Sequence, residues 1–289
     1  MSTPGTGGEP SAVASLLVPA HDEGRVLPRL LTSVARAART TTVEVVVAAN
    51  GCSDDTVDGA RRSGLAHRVL DLPEPSKHGA VLAADDIASH HPRIICDADL
   101  ELGEGMIDAL VAPILAGEVL ATAPRRVLET TGCSRVVRAY YRVWQELPSV
   151  RSGLFGRGVI ALGPEGMRRF RAMEAMLSDD LALSEAFTED ERRVVSAEVV
   201  VRVPRTTGDL LRRRTRVVEG NAEADERGLR GDAARTSPAD LVRIARADLH
   251  RVPDVAVFVA VTLAARLLAR RRARTGHDHW LRDESSRQG

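Results

Sequence analysis

The chain has 289 residues, of which 44% are apolar and 28% charged, and its formal net charge is zero. That much apolar material can fill one large α/β domain or two small ones, and the lack of a basic excess argues against a general nucleic-acid binder. Three cysteines (Cys52, Cys96, Cys133) without CxxC spacing fit a reduced chain with neither a disulfide framework nor a structural zinc site. Lys77 is the sole lysine among many arginines, a compact ammonium where guanidinium is the rule.

Residues 1–12 read as a disordered leader, small and polar, without the basic and apolar regions of a signal peptide. The expected location is therefore cytoplasmic. Val13–Pro19 is a short apolar run suited to a buried parallel strand. Glu23–Arg39 places Val26, Leu27, Leu30, Leu31 and Val34 at helical spacing. Val43–Ala49 is a second strand that stops at Asn50-Gly51, a turn signal, and Ser53 or Asp54 can cap a helix reaching about Ser63. Arg68–Leu72 is a third strand, Gly79–Ser89 a helix and Arg93–Cys96 a fourth strand. This alternation implies a parallel sheet with crossover helices.

The second half is less regular. Glu118–Ala123 reads as a strand. Ser134–Leu147 reads as a helix with Val136, Val137, Tyr140, Tyr141, Trp144 and Leu147 on one side. Gly153–Leu162 is glycine-rich and ends in a strand. Val194–Val203 is a strand, Asp209–Val218 an arginine-rich helix, and Glu219–Pro238 a loop. Two helices and a polar tail close the chain. The tail holds His277-Asp278-His279-Trp280, which has metal-ligand residue types but reads as disorder. No segment reaches the ~18 apolar residues of a membrane span. The nearest, Val255–Ala265, lies between Asp254 and Arg266 and precedes the basic Arg270–Arg274. Packing on the domain with a solvated basic end is the commoner role of such a helix. Peripheral contact with anionic lipid at the inner face of a membrane is the other.

In parallel sheets ligands bind beyond the carboxyl ends of the strands. Polar clusters fall there: His21-Asp22-Glu23, Asn50 to Asp55, and Asp97-Ala98-Asp99. In an extended segment residues two apart point to one side. Asp97 and Asp99 would then form a hard-oxygen site for Mg²⁺ or Mn²⁺ carrying a diphosphate. A three-residue pattern of this kind is most often a solvated turn, and its place after the apolar Arg93–Cys96 run sets it apart. Asn50 to Thr56 is a turn with a helix cap that can also contact a nucleotide. Ser76-Lys77-His78-Gly79 precedes a helix start, where a base or phosphate can be met, although plain helix entry is the commoner role.

Pro19-Ala20-His21-Asp22-Glu23, then Asn50-Gly51-Cys52-Ser53-Asp54-Asp55-Thr56, Lys77-His78-Gly79 and Asp97-Ala98-Asp99 resemble the ordered motifs of family-2 inverting glycosyltransferases. Gly153-Leu154-Phe155-Gly156-Arg157-Gly158 resembles that family's acceptor-side glycine segment. Ser178-Asp179-Asp180-Leu181 resembles its acidic base motif, and Arg213–Val217 stands where it often carries QxxRW. The resemblance implies a GT-A fold, a mostly parallel sheet flanked by helices over 13–220, with a C-terminal helical extension over 221–275 and a polar tail over 276–289. It implies a nucleoside diphosphate sugar donor and a hydroxyl-bearing acceptor, whether glycan, lipid or small molecule, in glycan or cell-envelope biosynthesis. Pro19, Asp22 and Glu23 would line the nucleoside, with Glu23 near the ribose. Asn50 and Asp54 would shape the base pocket, and Lys77 would lie near the nucleotide. Asp99 would be the main metal ligand, with Asp97 on the ribose or the metal. Asp180 would be the general base, and Asp179 is the competing choice.

The departures are Ala49, where the family often has aspartate, a replaced asparagine near Ala83, and a degraded QxxRW. Arg213, Arg214 and Arg216 can still hold a diphosphate or an anionic acceptor, or form a solvated arginine face. Tyr140, Tyr141, Trp144 and Phe155 fit either a sugar-stacking platform or, more often, core packing. The alternatives to glycosyl transfer are a nucleotidyltransferase acting on a sugar phosphate and a non-catalytic nucleotide-sugar-binding homologue. A nucleotidyltransferase would favour a basic glycine-rich loop after the first strand, where this chain has the acidic His21-Asp22-Glu23.

Overall fold

A computed structural model of the chain describes residues 13–173, 179–226 and 236–275. The leader at 1–12, Ser178 and the 276–289 tail with its His277–Trp280 run lie outside the described residues.

The first part alternates strand and helix. In order come β1 (Val13–Ala20), α1 (Leu27–Ala37), β2 (Thr42–Asn50), α2 (Thr56–Arg62), β3 (Arg68–Leu72), α3 (Lys77–Ile87) and β4 (Arg93–Cys96). Leu16, Leu17, Val18, Val46 and Val47 are 0% exposed, as strands covered on both faces require. β1 pairs in parallel with β2 and β4, and β2 with β3. Ala20 stands opposite Ala49, and Leu17 opposite Ile95. The chain therefore leaves β1, β2 and β4 along one edge, which gathers the three polar clusters there.

The remainder comprises α4 (Met106–Leu115), β5 (Ala121–Glu129), α5 (Arg135–Trp144), α6 (Pro148–Ser152), β6 (Val159–Leu162), α7 (Pro164–Arg171), α8 (Asp179–Glu185), β7 (Arg192–Arg202), α9 (Thr207–Glu226), α10 (Pro238–Ala247) and α11 (Val252–Thr275). β6 runs antiparallel to β4 and to β5. The result is a seven-stranded mixed sheet in the order β3-β2-β1-β4-β6-β5-β7. The α/β architecture, a mostly parallel sheet flanked by helices, is the one expected.

The described residues form two compact units, one of 13–125, 158–173 and 191–199 and the other of the rest. The first is built around the sheet. α1 buries Leu27, Leu30 and Leu31, and α4 buries Met106, Ile107 and Leu110. Asp108 on α4 accepts the amides of Arg39, Thr40 and Thr41 at 2.8, 3.1 and 2.9 Å, closing the turn into β2. At the amino end of β4, buried Arg93 pairs with Asp85 at 2.7 Å. That pair lies away from the polar edge and serves the fold.

The second unit is helical. Val137, Tyr140, Val143, Leu147, Leu210, Phe258 and Val261 form its core. Its α9 continues through Glu226, so residues 219–226, expected as loop, are helix. The good helix formers of Glu219–Glu226 outweigh the single Gly220. The expectation that no segment is long enough to span a membrane also needs correction. Leu249–Ala273 is long and apolar enough by length and composition, because one continuous helix tolerates Asp254 and Arg266 within it. Phe258, Val261, Ala265 and Ala269 of this helix are buried, while Val252, Leu263 and Leu267 are exposed.

Candidate functional site

At the carboxyl edge of the sheet the loops are tied together by side chains. Asp22, just past β1, adopts φ 52°, a left-handed conformation that aspartate tolerates better than most residues. Its Oδ1 accepts from the Ser53 amide at 2.6 Å, the Ser53 hydroxyl at 3.2 Å and the Asp54 amide at 3.3 Å. The Ser53 amide is the main reason its carboxyl sits below the ordinary range. Asp54 accepts from the Thr56 amide at 2.9 Å and the Gly24 amide at 3.1 Å. Burial pushes the Asp54 carboxyl up, but the Thr56 and Gly24 bonds outweigh it and hold it low. The residue preceding α2 is Asp55, which makes no side-chain cap bond. Asp54 serves the helix start instead, through the Thr56 amide.

Asn50, at the end of β2, is 3% exposed. Its Nδ2 donates to Ala20 O at 2.8 Å and Ala48 O at 3.3 Å, and its Oδ1 accepts from the Ser76 amide at 3.1 Å. Asn50 thereby spends its side chain joining the ends of β1 and β2 to the entry of α3. His21 adds a 2.6 Å contact from Nδ1 to Asn50 O, and the Glu23 amide donates to Thr56 Oγ1 at 2.8 Å. Pro19 is buried within β1, and Glu23 is half-buried.

Lys77 is the first residue of α3, whose Ser76 cap accepts the Gly79 amide at 3.0 Å. Its Nζ lies 2.7 Å from Asp97 Oδ1. The Asp97 amide donates to Gly158 O at 2.7 Å, carrying the β4–β6 pairing one step past Cys96. Gly158 has φ +69°, and a Cβ there would stand 2.8 Å from Leu100 Cδ1 and 3.2 Å from Asp97 Oδ2. The extended course expected of Asp97-Ala98-Asp99 is not found. Ala98 and Asp99 form a turn, closed by the Leu100 amide on Asp97 O at 3.3 Å. Asp99 is exposed, and its carboxylate has no hydrogen bond or ion pair among the described residues.

Two sets of groups at this edge have metal-binding residue types. Asp22, Cys52 and Asp54 bring ligand atoms within 4.8 Å of one another, but both carboxylates already hold backbone amides and a thiol suits softer ions. Asp99 and Asp97 offer hard oxygens. One or two carboxylates, completed by phosphate oxygens and water, are what Mg²⁺ or Mn²⁺ takes. Cys96 beside them is fully buried, and burial first, then the charges of Asp97 and Asp99, push its thiol well up. Its Sγ lies 3.5 Å from Asp97 O.

In the second unit Asp179 and Asp180 begin α8. Arg213 and Arg216 lie on α9, both half-buried. Tyr140 and Tyr141 are 0% and 5% exposed, so these two are core and not a sugar platform. Trp144 and Phe155 are half-buried and flank Arg126, which no motif singled out. Its guanidinium carbon lies 4.7 Å from the Trp144 ring centre and 5.4 Å from that of Phe155.

The description "Glycosyl transferase family 2" belongs to the family model that matches residues 15–173. No curated protein matches the chain in sequence. A solved mannosyltransferase from Pyrobaculum calidifontis, in complex with GDP-Man and Mn²⁺, is 20% identical, with 92% of this chain and 81% of that one covered and a TM-score of 0.55. Glucosyl-3-phosphoglycerate synthase from M. tuberculosis is 19% identical over 68% of this chain and 73% of that one, with a TM-score of 0.46. At such identities the first of these is a likeness of fold, the GT-A fold.

Proposed function

Because the chain belongs to glycosyl transferase family 2, we propose that it transfers a sugar from a nucleoside diphosphate sugar to an acceptor hydroxyl, with inversion and with help from Mg²⁺ or Mn²⁺. The observation that carries the reading is the junction of Lys77, Asp97 and Gly158 at the sheet edge, with the open carboxylate of Asp99 next to it.

Asp99 would hold the metal, with Asp97 beside it on the metal or the ribose. A bound divalent ion supplies charge neutralisation on a departing diphosphate. Lys77 keeps Asp97 in place and brings a positive charge to the nucleotide. Asp22 and Glu23, after Pro19, line the nucleoside. Asn50 and Asp54 shape the base pocket mainly by holding its loops. Inverting transfer needs one base to take the acceptor hydroxyl proton, and Asp180 is assigned that role, with Asp179 as its competitor. Arg213 and Arg216 bind a diphosphate or an anionic acceptor. The acceptor is a glycan, a lipid or a small molecule.

The reading keeps a transferase region over 13–220, a helical extension over 221–275 and a cytoplasmic location in glycan or envelope assembly. Peripheral contact with anionic lipid through α11 is supported by exposed Leu263 and Leu267 beside exposed Arg266, Arg270 and Arg271. Incubation with nucleotide sugars and candidate acceptors tests the reaction. Release of a nucleoside diphosphate, and a product of opposite anomeric configuration by NMR, are expected. Pyrophosphate release would favour a nucleotidyltransferase instead, and a product of unchanged configuration would remove inversion.

A further inference from the structure

The second unit contains arginines for which its described residues supply no counter-charge. Arg126 donates from Nη2 to Val150 O at 2.7 Å. Its Nη1 is buried without a hydrogen-bond partner. Arg214 lies with its guanidinium carbon 5.6 Å from the Tyr140 ring centre, and its Nε is likewise buried and unpartnered. The Tyr140 hydroxyl, on a side chain 0% exposed, is a third such atom. Among the described residues no carboxylate pairs with Arg126, Arg213 or Arg214.

Buried polar atoms without partners are rare in folded proteins. Buried charge without a counter-charge is costly. Here both occur around one set of rings, since Tyr140 and Tyr141 have centroids 5.3 Å apart and Tyr141 and Trp144 5.5 Å apart. The faces of Trp144, Phe155 and Tyr140 offset part of the cost through cation–π attraction but give the orphaned N–H groups nothing to donate to. Burial, then the charges of Arg157 and Arg213, push the Arg126 pKa down to about 9. Gly156, at φ +64°, passes the backbone close by, and a Cβ there would lie 3.4 Å from Arg126 Nη1.

We propose that Arg126 and Arg213, with Arg214 beside them, form an anion site in the second unit that takes a phosphate-type oxyanion. Arg126 is its centre, because its free N–H can donate to an oxyanion while Trp144 and Phe155 fix the plane of the guanidinium. The anion is either the donor's diphosphate or a phosphate on the acceptor. Only the use made of the anion rests on the glycosyl-transfer reading. Binding itself needs neither Asp99 nor a metal.

Calorimetric titration of the full chain with inorganic phosphate and pyrophosphate, without metal, tests this. Saturable binding is expected. It should weaken at least about tenfold in Arg126→Gln and in Arg213→Gln, as loss of a charge-assisted donor implies. It should persist in Asp99→Ala and in Arg138→Gln, which alters an exposed arginine of α5. Circular dichroism checks folding, and if Arg126→Gln does not fold, Arg213→Gln decides. Titration with UDP and GDP, now with Mn²⁺ present, separates the sources. Parallel weakening of nucleotide and phosphate in Arg126→Gln assigns the anion to the donor, whereas unchanged nucleotide binding with lost phosphate binding assigns it to the acceptor. No saturable binding by the parent protein, or equal binding by both arginine variants, overturns the site. Because Asp99→Ala is scored separately, failure of the metal assignment would leave this result unchanged.

Discussion

Lys77 Nζ lies 2.7 Å from Asp97 Oδ1, so the chain's sole lysine neutralises one carboxylate of the pair while Asp99 stays open. The two side chains are 44% and 35% exposed, and a pair this solvated adds little to stability, at most ~1 kcal/mol. Lys77→Met should therefore leave urea unfolding almost unchanged while nucleotide-sugar affinity falls about tenfold, which is ~1.4 kcal/mol. Unaltered affinity, or a large loss of stability, would contradict this role.

Gly158 makes the sharpest steric prediction. A methyl there meets Leu100 at 2.8 Å and Asp97 Oδ2 at 3.2 Å, at φ +69°. Gly132 has a similar φ of +73° with nothing within 4 Å, so Gly132→Ala isolates the backbone strain, roughly 1 kcal/mol. Gly158→Ala should cost more stability than Gly132→Ala and also reduce transfer, because the Asp97 carboxylate is displaced. Equal thermal stability and equal turnover for the two variants would remove Gly158 as the support of Asp97.

The pairing of α5 with α11 predicts a pH signature. Arg142 Nε and Nη2 each donate to Asp254 at 2.7 Å, and Asp254 is 9% exposed. The Arg142 bonds hold the Asp254 carboxyl below its ordinary 3.8. A depressed folded pKa means the stabilisation is complete above the unfolded value and drains as pH falls through the folded one. Asp254→Asn should cost ~1–2 kcal/mol at neutral pH, the low end for a buried pair because Arg142 remains half solvated. That difference should shrink below about pH 4. A gap that stays constant in urea melts at both pH values would contradict the assignment.

Asp180→Asn should bind the donor as the parent does and transfer poorly, by roughly 10²–10⁴-fold, as loss of a general base implies. Asp179→Asn in parallel separates the neighbours. If Asp179→Asn is the variant that fails to turn over, the roles exchange.

Much of the sheet was legible in the sequence because parallel strands buried on both faces are uninterrupted apolar runs. β4, buried throughout, falls on the residues expected, Arg93–Cys96, and the part-exposed edge strand β3 also falls on its expected residues, Arg68–Leu72. The convergence of three polar clusters on one edge was legible for the same reason, since it follows from strand order alone. α4 was missed: its residues are apolar on most sides and include Pro113, so no clear helical stripe marks it. The bonding of Asn50 could not be read, because its partners Ala20 and Ser76 come from other segments. The turn at Ala98-Asp99 was hidden by the strand-like pattern before it. Arg126 was one arginine among many until Trp144, Phe155 and Val150 packed around it.

The central claim is that Asp99 holds a divalent ion that helps bind a nucleotide sugar. A thermal-shift panel of UDP- and GDP-sugars against the parent protein and Asp99→Ala, each with and without Mn²⁺, tests it most directly. A ligand at about 100 times its Kd adds ~2.7 kcal/mol, enough to move the midpoint by several degrees. The predicted result is that Mn²⁺ adds several degrees to the stabilisation of the parent by sugar nucleotide, and that this added part is absent in Asp99→Ala. Equal stabilisation of the two proteins, or stabilisation of the parent that ignores Mn²⁺, would contradict it.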